Sequence, residues 1–223
     1  MPEVIVPAYF HPVRGAAGWE ELAASRLRAV VFNVDSGPGT ARDREFAVVA
    51  ARTVAGGVPL LGYVDTRYGS RPPDEVLAEL VRYRGWYGVQ GVFLDQVSSG
   101  RDQLVRYERI VSAVRDEGIG PVVLNHGTYP DAGYAELADL LVTFEGPWQT
   151  YERLCTPSWA MRLPASRFCH LVYGAPRAML GRALRRAARC NTGVVYVTDR
   201  KGVNPWSGLP EYFAEELALT CGS

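Results

Sequence analysis

The sequence predicts a single (β/α)8 barrel of the TIM type, an α/β fold, that spans residues 1–223. First, eight short apolar runs rich in β-branched residues occur along the chain, and such runs are typical of parallel strands covered on both faces. Second, a longer stretch with apolar residues three and four positions apart follows each run, as in amphipathic helices. Third, no Pro- or Gly-rich linker divides the chain. Eight such units favour a closed barrel over an open doubly wound sheet, which is the alternative.

The predicted strands are six or seven residues long and are separated by helix-like stretches and turn residues. They are Val4–Phe10, Ala29–Val34, Pro59–Val64, Val89–Asp95, Gly120–Asn125, Leu140–Glu145, Phe168–Tyr173 and Gly193–Thr198. Because all eight are followed by a helical stretch, each strand is expected to pair in parallel with the next one along the chain.

The predicted helices begin and end at residues with suitable capping chemistry. They are Trp19–Leu27, Thr40–Ala55, Pro72–Tyr87, Asp102–Glu117, Tyr134–Leu137, Trp148–Leu154, Pro176–Arg189 and Pro210–Leu219. Pro72 is followed by proline and two acidic residues, which are typical of a helix start, and Gly56 and Gly118 are typical of helix ends. The fifth and sixth helices have the weakest periodicity and are predicted to be short or partly 3₁₀.

The charge balance and hydropathy exclude several kinds of partner. Lys and Arg number 24 and Asp and Glu number 24, so the formal net charge is zero and no global positive field favours nucleic acid. The arginines of the seventh predicted helix are interpreted as a solvated face: Arg182, Arg185, Arg186 and Arg189. No run of 18 apolar residues predicts a membrane span. We expect a monomer or a weak homo-oligomer.

Neither a metal nor an organic cofactor is predicted. The cysteines and histidines lack metal-ligand spacing: Cys155, Cys169, Cys190, Cys221, His11, His126 and His170. The stretch 36–39, Ser-Gly-Pro-Gly, lacks the lysine of a phosphate-binding loop and is interpreted as a tight turn. No signal peptide precedes Val4, so the chain as it stands is expected to be cytoplasmic; a trimmed secreted protein has the same pattern.

Two acidic residues end predicted strands. Asp95 ends the fourth strand and Glu145 ends the sixth, and in a parallel barrel the carboxyl ends of the strands surround the active site. Two carboxyl groups at one barrel mouth match the acid and the nucleophile, or base, that cleave a glycosidic bond. The alternatives are a helix cap for either residue and an arginine ion pair for Asp95.

Aromatic, amide and charged residues follow the same strand ends. Tyrosine and tryptophan offer flat faces to sugar rings, and polar side chains offer hydrogen bonds to hydroxyl groups. The candidate substrate-binding residues are Tyr9, Asn33, Tyr63, Asp65, Tyr68, Arg71, Gln96, Asn125, His126, Trp148, Tyr173 and Tyr196. For His126 a structural role is the alternative.

Several segments together resemble the spherulin-4 (spherulation-specific family 4) proteins. They are Val6–Phe10, Asn33–Gly39, Gly62–Arg71, Gly91–Asp95, Asn125–Thr128 and Thr143–Glu145. The resemblance implies a (β/α)8 barrel related to endo-α-1,4-polygalactosaminidases, with Asp95 and Glu145 at the family's acidic catalytic positions. The family's hydrolases carry Asp-Glu where this chain has Asp95-Gln96, and Asn-Pro-Gly-Thr where it has residues 125–128.

The leading functional hypothesis is a glycoside hydrolase-like enzyme that cleaves an α-linked galactosamine-type or related aminosugar glycan without a cofactor. Glu145 is the expected general acid, because its apolar approach should raise its pKa, and Asp95 the nucleophile or stabilising carboxylate. One alternative is a biosynthetic isomerase, lyase or cyclase on the same barrel. The other is a barrel that binds carbohydrate without cleaving it.

Overall fold

A computed structural model describes residues 2–220, and its eight strands form a closed barrel in the order β1 to β8. The strands are β1 (Glu3–Ala8), β2 (Ala29–Phe32), β3 (Leu60–Asp65), β4 (Gly91–Asp95), β5 (Val122–Asn125), β6 (Leu140–Pro147), β7 (Phe168–Tyr173) and β8 (Val194–Val197). All neighbouring pairs are parallel, and β1 closes the barrel by pairing with β8. The predicted fold class, a TIM-type barrel, is confirmed.

Seven α-helices surround the barrel. They are α1 (Ala16–Ala24), α2 (Arg44–Ala55), α3 (Pro73–Tyr87), α4 (Leu104–Asp116), α5 (Trp148–Tyr151), α6 (Leu180–Arg189) and α7 (Phe213–Thr220). The start of α2 is four residues later than predicted because the Asp43 carboxylate accepts hydrogen bonds from the backbone N–H groups of Glu45 and Phe46. This cap leaves the preceding residues, from Thr40, outside the helix.

The two weakly periodic helices are the shortest. Between β5 and β6 the chain forms a 3₁₀ helix at Ala132–Glu136, where the Asp131 side chain accepts from the Gly133 N–H. After β6, α5 is a single four-residue turn. The chain from Asn125 to Leu140 is short, so it crosses to the next strand without a full amphipathic helix.

The core consists of a large cluster that includes residues of the barrel strands and of α1 to α4, and a smaller cluster around Phe144, Trp148, Tyr151 and Leu180 at α5 and α6. Close approach of α3 to β3 depends on Gly62, because a Cβ atom at this position would lie 2.9 Å from the Tyr83 ring. Within residues 2–220, no helix is both long enough and apolar enough to cross a membrane.

Candidate active site

Asp95 and Glu145 meet at the barrel mouth, where one amide group joins them. The Asn125 Nδ2 donates to Asp95 Oδ1 and to Glu145 Oε2, each at 2.6 Å. These two oxygens are therefore no more than twice that distance, about 5.2 Å, apart. Asp95 ends β4, Asn125 ends β5 and Glu145 lies near the end of β6, so three consecutive strands build the centre.

The direction of the Glu145 side chain depends on an irregularity in β6. In the ladder with β7 the register shifts between Val142 and Phe144, so that Val142 pairs with Cys169 and Glu145 with Leu171. Val142 and Glu145 are three residues apart, so in a regular strand their side chains would lie on opposite faces. Their partners Cys169 and Leu171 are two residues apart and share a face, so Val142 and Glu145 also share a face. The extra residue therefore turns Glu145 to the barrel interior, where Asn125 also lies, as bulges beside active sites do.

Each carboxylate has a second donor of its own. The Tyr63 hydroxyl donates to Asp95 Oδ2 at 2.7 Å, and the Trp206 indole N–H donates to Glu145 Oε1 at 3.2 Å. The Tyr9 ring packs edge-on against Tyr63, with ring centroids 5.3 Å apart. The pair is thus held from both sides by neutral donors, and within residues 2–220 neither carboxylate forms an ion pair with an arginine.

Burial raises the pKa of both carboxyl groups. For Glu145 the negative charge of Asp95 adds to this effect, whereas the hydrogen bonds from Asn125 and Trp206 oppose it. For Asp95 burial is again the largest cause, and hydrogen bonds from Tyr63, the Gln96 backbone and Asn125 oppose it. The two groups lie so close that their proton affinities are coupled, which favours a state in which one carries a proton and the other is ionised.

A polar cleft of about 610 Å³ opens on one side of the pair. Five of the predicted site residues line it: Tyr9, Asn33, Tyr63, Glu145 and Tyr173. Its other polar and aromatic lining includes Phe10, His11, Arg14, Asp35, Ser36, Asn204 and Trp206, which the sequence prediction did not include. A larger apolar groove of about 770 Å³ lies between α1 and α2, away from the carboxylates.

Trp206 was not among the predicted site residues, although it lines the cleft and donates to Glu145. It follows β8 by nine residues, and its loop is attached to the end of β1: the Tyr9 N–H donates to the Trp206 carbonyl, and Asn204 Nδ2 donates to the Tyr9 carbonyl. Its ring packs against Tyr173, with centroids 5.9 Å apart. The Asn-Pro-Trp triplet after the last strand was the available signal, because loops after strands form the mouth of such barrels.

Four other predicted residues lie at the end of β3 or in the loops after β3 and β4, and they do not line the cleft. Arg71 pairs with Glu79 at 2.7 Å and donates to the Asp65 carbonyl, so it holds the β3 loop instead of facing the cleft. The Asp65 carboxylate accepts from the Arg67 N–H. Tyr68 is 65% exposed, and Gln96 accepts at its carbonyl from the Tyr68 N–H.

Three predicted substrate contacts are corrected because their side chains pack inside the protein. His126 packs on the Tyr134 ring, with centroids 4.6 Å apart, and burial lowers its pKa to about 4. Trp148 packs on Tyr151 beneath the Arg182 guanidinium. Tyr196 is fully buried below Trp206. Tertiary packing, not residue type, decided which aromatic side chains reach the cleft.

Backbone strain is concentrated at the mouth. Four non-glycine residues in loops after β2, β3 and β4 have positive φ: Ser36 (48°), Arg67 (46°), Tyr68 (54°) and Gln96 (49°). Such conformations cost about 1–3 kcal/mol each and occur preferentially at functional sites. Elsewhere in the described chain, Asn191 is the remaining non-glycine residue with positive φ. Over residues 2–220, no group of three His, Cys, Asp or Glu side chains is arranged to hold a metal ion.

Fold and geometry together define a (β/α)8-barrel protein with a coupled carboxylate pair at the strand ends, beside a polar cleft that Glu145 lines. The model of spherulation-specific family 4 matches residues 3–220, and the chain belongs to this family. The predicted family resemblance is confirmed.

Relatives agree with this assignment. Spherulin-4 of Physarum polycephalum is 27% identical over 97% of this chain and 69% of its own length. Sph3 of Aspergillus clavatus, crystallised in complex with GalNAc, is similar in structure with a TM-score of 0.84 and 25% identity over 99% of this chain and 98% of Sph3. A chitinase of Rhizomucor miehei shares the fold, with a TM-score of 0.56 and 12% identity over 92% of this chain and 98% of its own.

Proposed function

We propose that this protein is a glycoside hydrolase-like enzyme that cleaves an α-linked galactosamine-type or related aminosugar glycan. The observation that carries the proposal is the pair of carboxylates joined by the Asn125 amide at the edge of an open polar cleft. Glycosidic cleavage needs one carboxyl group that donates a proton and one that is ionised, and this arrangement favours that state.

The short separation of the two carboxylates supports a double displacement. Retaining glycosidases place the carboxyl groups about 5–5.5 Å apart, whereas inverting enzymes place them about 6.5–9.5 Å apart to leave room for water. The two oxygens that Asn125 joins are at most about 5.2 Å apart, which favours the shorter separation over the longer one. Retention of configuration at the anomeric carbon is therefore the expected outcome.

Glu145 is assigned as the acid and Asp95 as the nucleophile. Burial and the negative charge of Asp95 both favour the protonated form of Glu145. Asp95 has three donors that favour its anion. In the first step the Asp95 carboxylate attacks the anomeric carbon while Glu145 gives its proton to the leaving oxygen. In the second, Glu145 takes a proton from water, whose oxygen displaces Asp95 and restores both groups.

The cleft walls support a sugar ring as the substrate. Tyr9, Tyr173 and Trp206 provide aromatic faces and edges, and Asn33 with Asp35 provides hydrogen-bonding groups. The bound GalNAc of Sph3, a protein of the same fold at 25% identity, supports an N-acetylated or free galactosamine unit at this cleft.

The direct test is release of reducing ends from α-1,4-linked galactosamine and N-acetylgalactosamine oligomers. We expect hydrolysis with retention of the anomeric configuration, which NMR of the products measures. Binding of the oligomers with no release of new reducing ends would indicate a barrel that binds carbohydrate without cleaving it. Conversion of the oligomers to a product that has no new reducing end would indicate an isomerase, lyase or cyclase. Either outcome rejects the hydrolase.

A further inference from the structure

Charge is distributed very unevenly along this chain. Residues 153–201 contain ten of the 24 Lys and Arg residues but only one of the 24 Asp and Glu residues, Asp199. The segment therefore has nine excess positive charges, and because the whole chain is neutral the remainder has nine excess negative charges. A zero net charge thus conceals a strongly basic region.

The segment occupies one sector of the barrel, because β7 pairs with β8 and Arg186 of α6 donates to the carbonyl groups of Tyr151 and Leu154. It comprises the β6–β7 loop, β7, α6 and β8, and α6 must run from the mouth, where β7 ends, to the opposite end, where β8 begins. Eight of the basic side chains are exposed, and we call them the basic face: Arg153, Arg162, Arg177, Arg182, Arg185, Arg189, Arg200 and Lys201.

Most of this charge is not neutralised within the protein. Arg177 pairs with Glu215 and Arg182 with Glu152, each at 2.8 Å. Over the part of the chain that the structure describes, the other arginines of the face make no ion pair: Arg153, Arg162, Arg185, Arg189 and Arg200. The exposed guanidinium groups remain available to an external anion.

We propose that the basic face docks a linear acidic polysaccharide. Guanidinium groups bind carboxylate and sulfate groups through two parallel hydrogen bonds, and a row of them suits a polymer with repeated anionic groups. On α6, Arg182, Arg185 and Arg189 follow one another at three- and four-residue intervals, so the row is about 10 Å long on this helix alone.

A lipid surface and a single-stranded nucleic acid fit this face less well. Leu180, Ala183, Leu184 and Ala187, the apolar residues of α6, are buried against the barrel, so the helix has no apolar side to insert into a lipid surface. The aromatic residues of the segment are buried or half-buried, which leaves no exposed platform on which nucleotide bases stack.

The basic face reaches the rim of the cleft without being part of it. Arg200 and Lys201 directly precede Gly202, which lines the cleft. The carboxylates Asp95 and Glu145 contribute nothing to the face, so docking does not depend on the proposed hydrolase activity. Its function is to hold the barrel on an anionic matrix.

The test is binding of fluorescent polygalacturonate to the full chain at low and at physiological salt. We expect binding that weakens steeply as salt rises. The double variant Arg185→Gln/Arg189→Gln should lose about five- to tenfold in affinity at low salt. The matched control is Arg26→Gln/Arg82→Gln, which removes two exposed arginines outside the basic face and should bind as the wild type does.

Three further measurements complete the test. Glu145→Gln should keep full affinity for polygalacturonate, and a loss would place the polymer in the cleft and overturn the proposal. Equal weakening in both arginine double variants, or no binding at all, would also overturn it. Tighter binding to duplex DNA or to phosphatidylserine vesicles than to polygalacturonate would reject an acidic polysaccharide as the partner.

Discussion

Buried carboxyl groups occur in two contrasting regions of this barrel. At the mouth, Asp95 and Glu145 share the Asn125 amide and have further donors, and Glu145 lines the cleft. On α7, the Glu216 side chain is fully buried and, within the described residues, accepts only from the Val197 N–H, at 2.8 Å. Its Oε2 has no hydrogen-bond partner within the described residues.

The contrast separates the effect of burial from the requirements of catalysis. Burial raises the pKa in both regions, and for Glu216 it raises it well above the ordinary value. Over residues 2–220, however, no other carboxylate contributes to the Glu216 pKa shift, and Glu216 does not line the polar cleft. A raised pKa alone therefore marks a buried carboxyl, whereas a coupled pair next to open space marks a candidate active site.

The largest expected effect comes from neutralising the mouth pair. Asp95→Asn and Glu145→Gln should each reduce turnover of aminosugar oligomers by about a thousandfold or more, because each removes a group that reacts or transfers a proton. Glu216→Gln is the matched control and should leave turnover unchanged. If all three variants lost turnover to a similar extent, or if Asp95→Asn and Glu145→Gln lost none, the proposed difference between the mouth pair and Glu216 would be wrong. Circular dichroism checks that the variants fold.

Removal of the shared amide should have the next largest effect. Asn125→Ala deletes a donor that favours the anions of both Asp95 and Glu145, so both pKa values should rise and turnover at the optimum should fall by about 10- to 100-fold. The pH–rate profile should move to higher pH as a whole.

The control for this variant is Asn33→Ala. Asn33 also lines the cleft, but its side chain accepts from the Gly37 N–H and does not contact the pair. Asn33→Ala should change KM but leave the pH–rate profile at the same pH. If the pH–rate profile of Asn125→Ala coincided with that of the wild type, the Asn125 amide would have no effect on the pKa values of Asp95 and Glu145.

A smaller effect is expected at Trp206. Trp206→Phe keeps an aromatic wall but removes the N–H donor to Glu145 Oε1, so the Glu145 pKa should rise and turnover should fall about three- to tenfold. Only the alkaline limb of the pH–rate profile, which reports Glu145, should move. Trp159→Phe, which alters a tryptophan packed on Phe168, should leave that limb in place.

The smallest effect on activity, and a clear one on stability, is expected at Glu216. Because its pKa is raised in the folded state, its contribution to stability is full below the ordinary carboxyl pKa and is lost as pH rises through the folded value. Glu216→Gln should therefore match the wild type near pH 4 and increase the free energy of unfolding by about 1–3 kcal/mol near pH 8.

Urea denaturation at the two pH values measures this difference. Exposed Glu211→Gln serves as the control and should change stability little at either pH. An increase for Glu216→Gln that is the same at pH 4 and pH 8 would mean that Glu216 does not titrate as its burial requires.

Much of the architecture followed from local sequence patterns. The strand positions, the order of strands and helices, and the placement of Asp95 and Glu145 at strand ends were all predicted. The observed helix boundaries differ from the predicted ones where a side chain caps the helix, as Asp43 does at the start of α2. The short connections around Ala132–Glu136 and α5 had weak periodicity because they bury little surface of their own.

By itself the sequence determined the barrel and the strand ends at which its acids lie, because apolar periodicity and parallel pairing depend on residues close together in the chain. Tertiary structure alone decided that the bulge in β6 turns Glu145 inward, that Trp206 donates to it from 61 residues away, and that Trp148, Tyr196 and His126 pack inside. These outcomes depend on how distant segments share limited space, and no local pattern of residues encodes that.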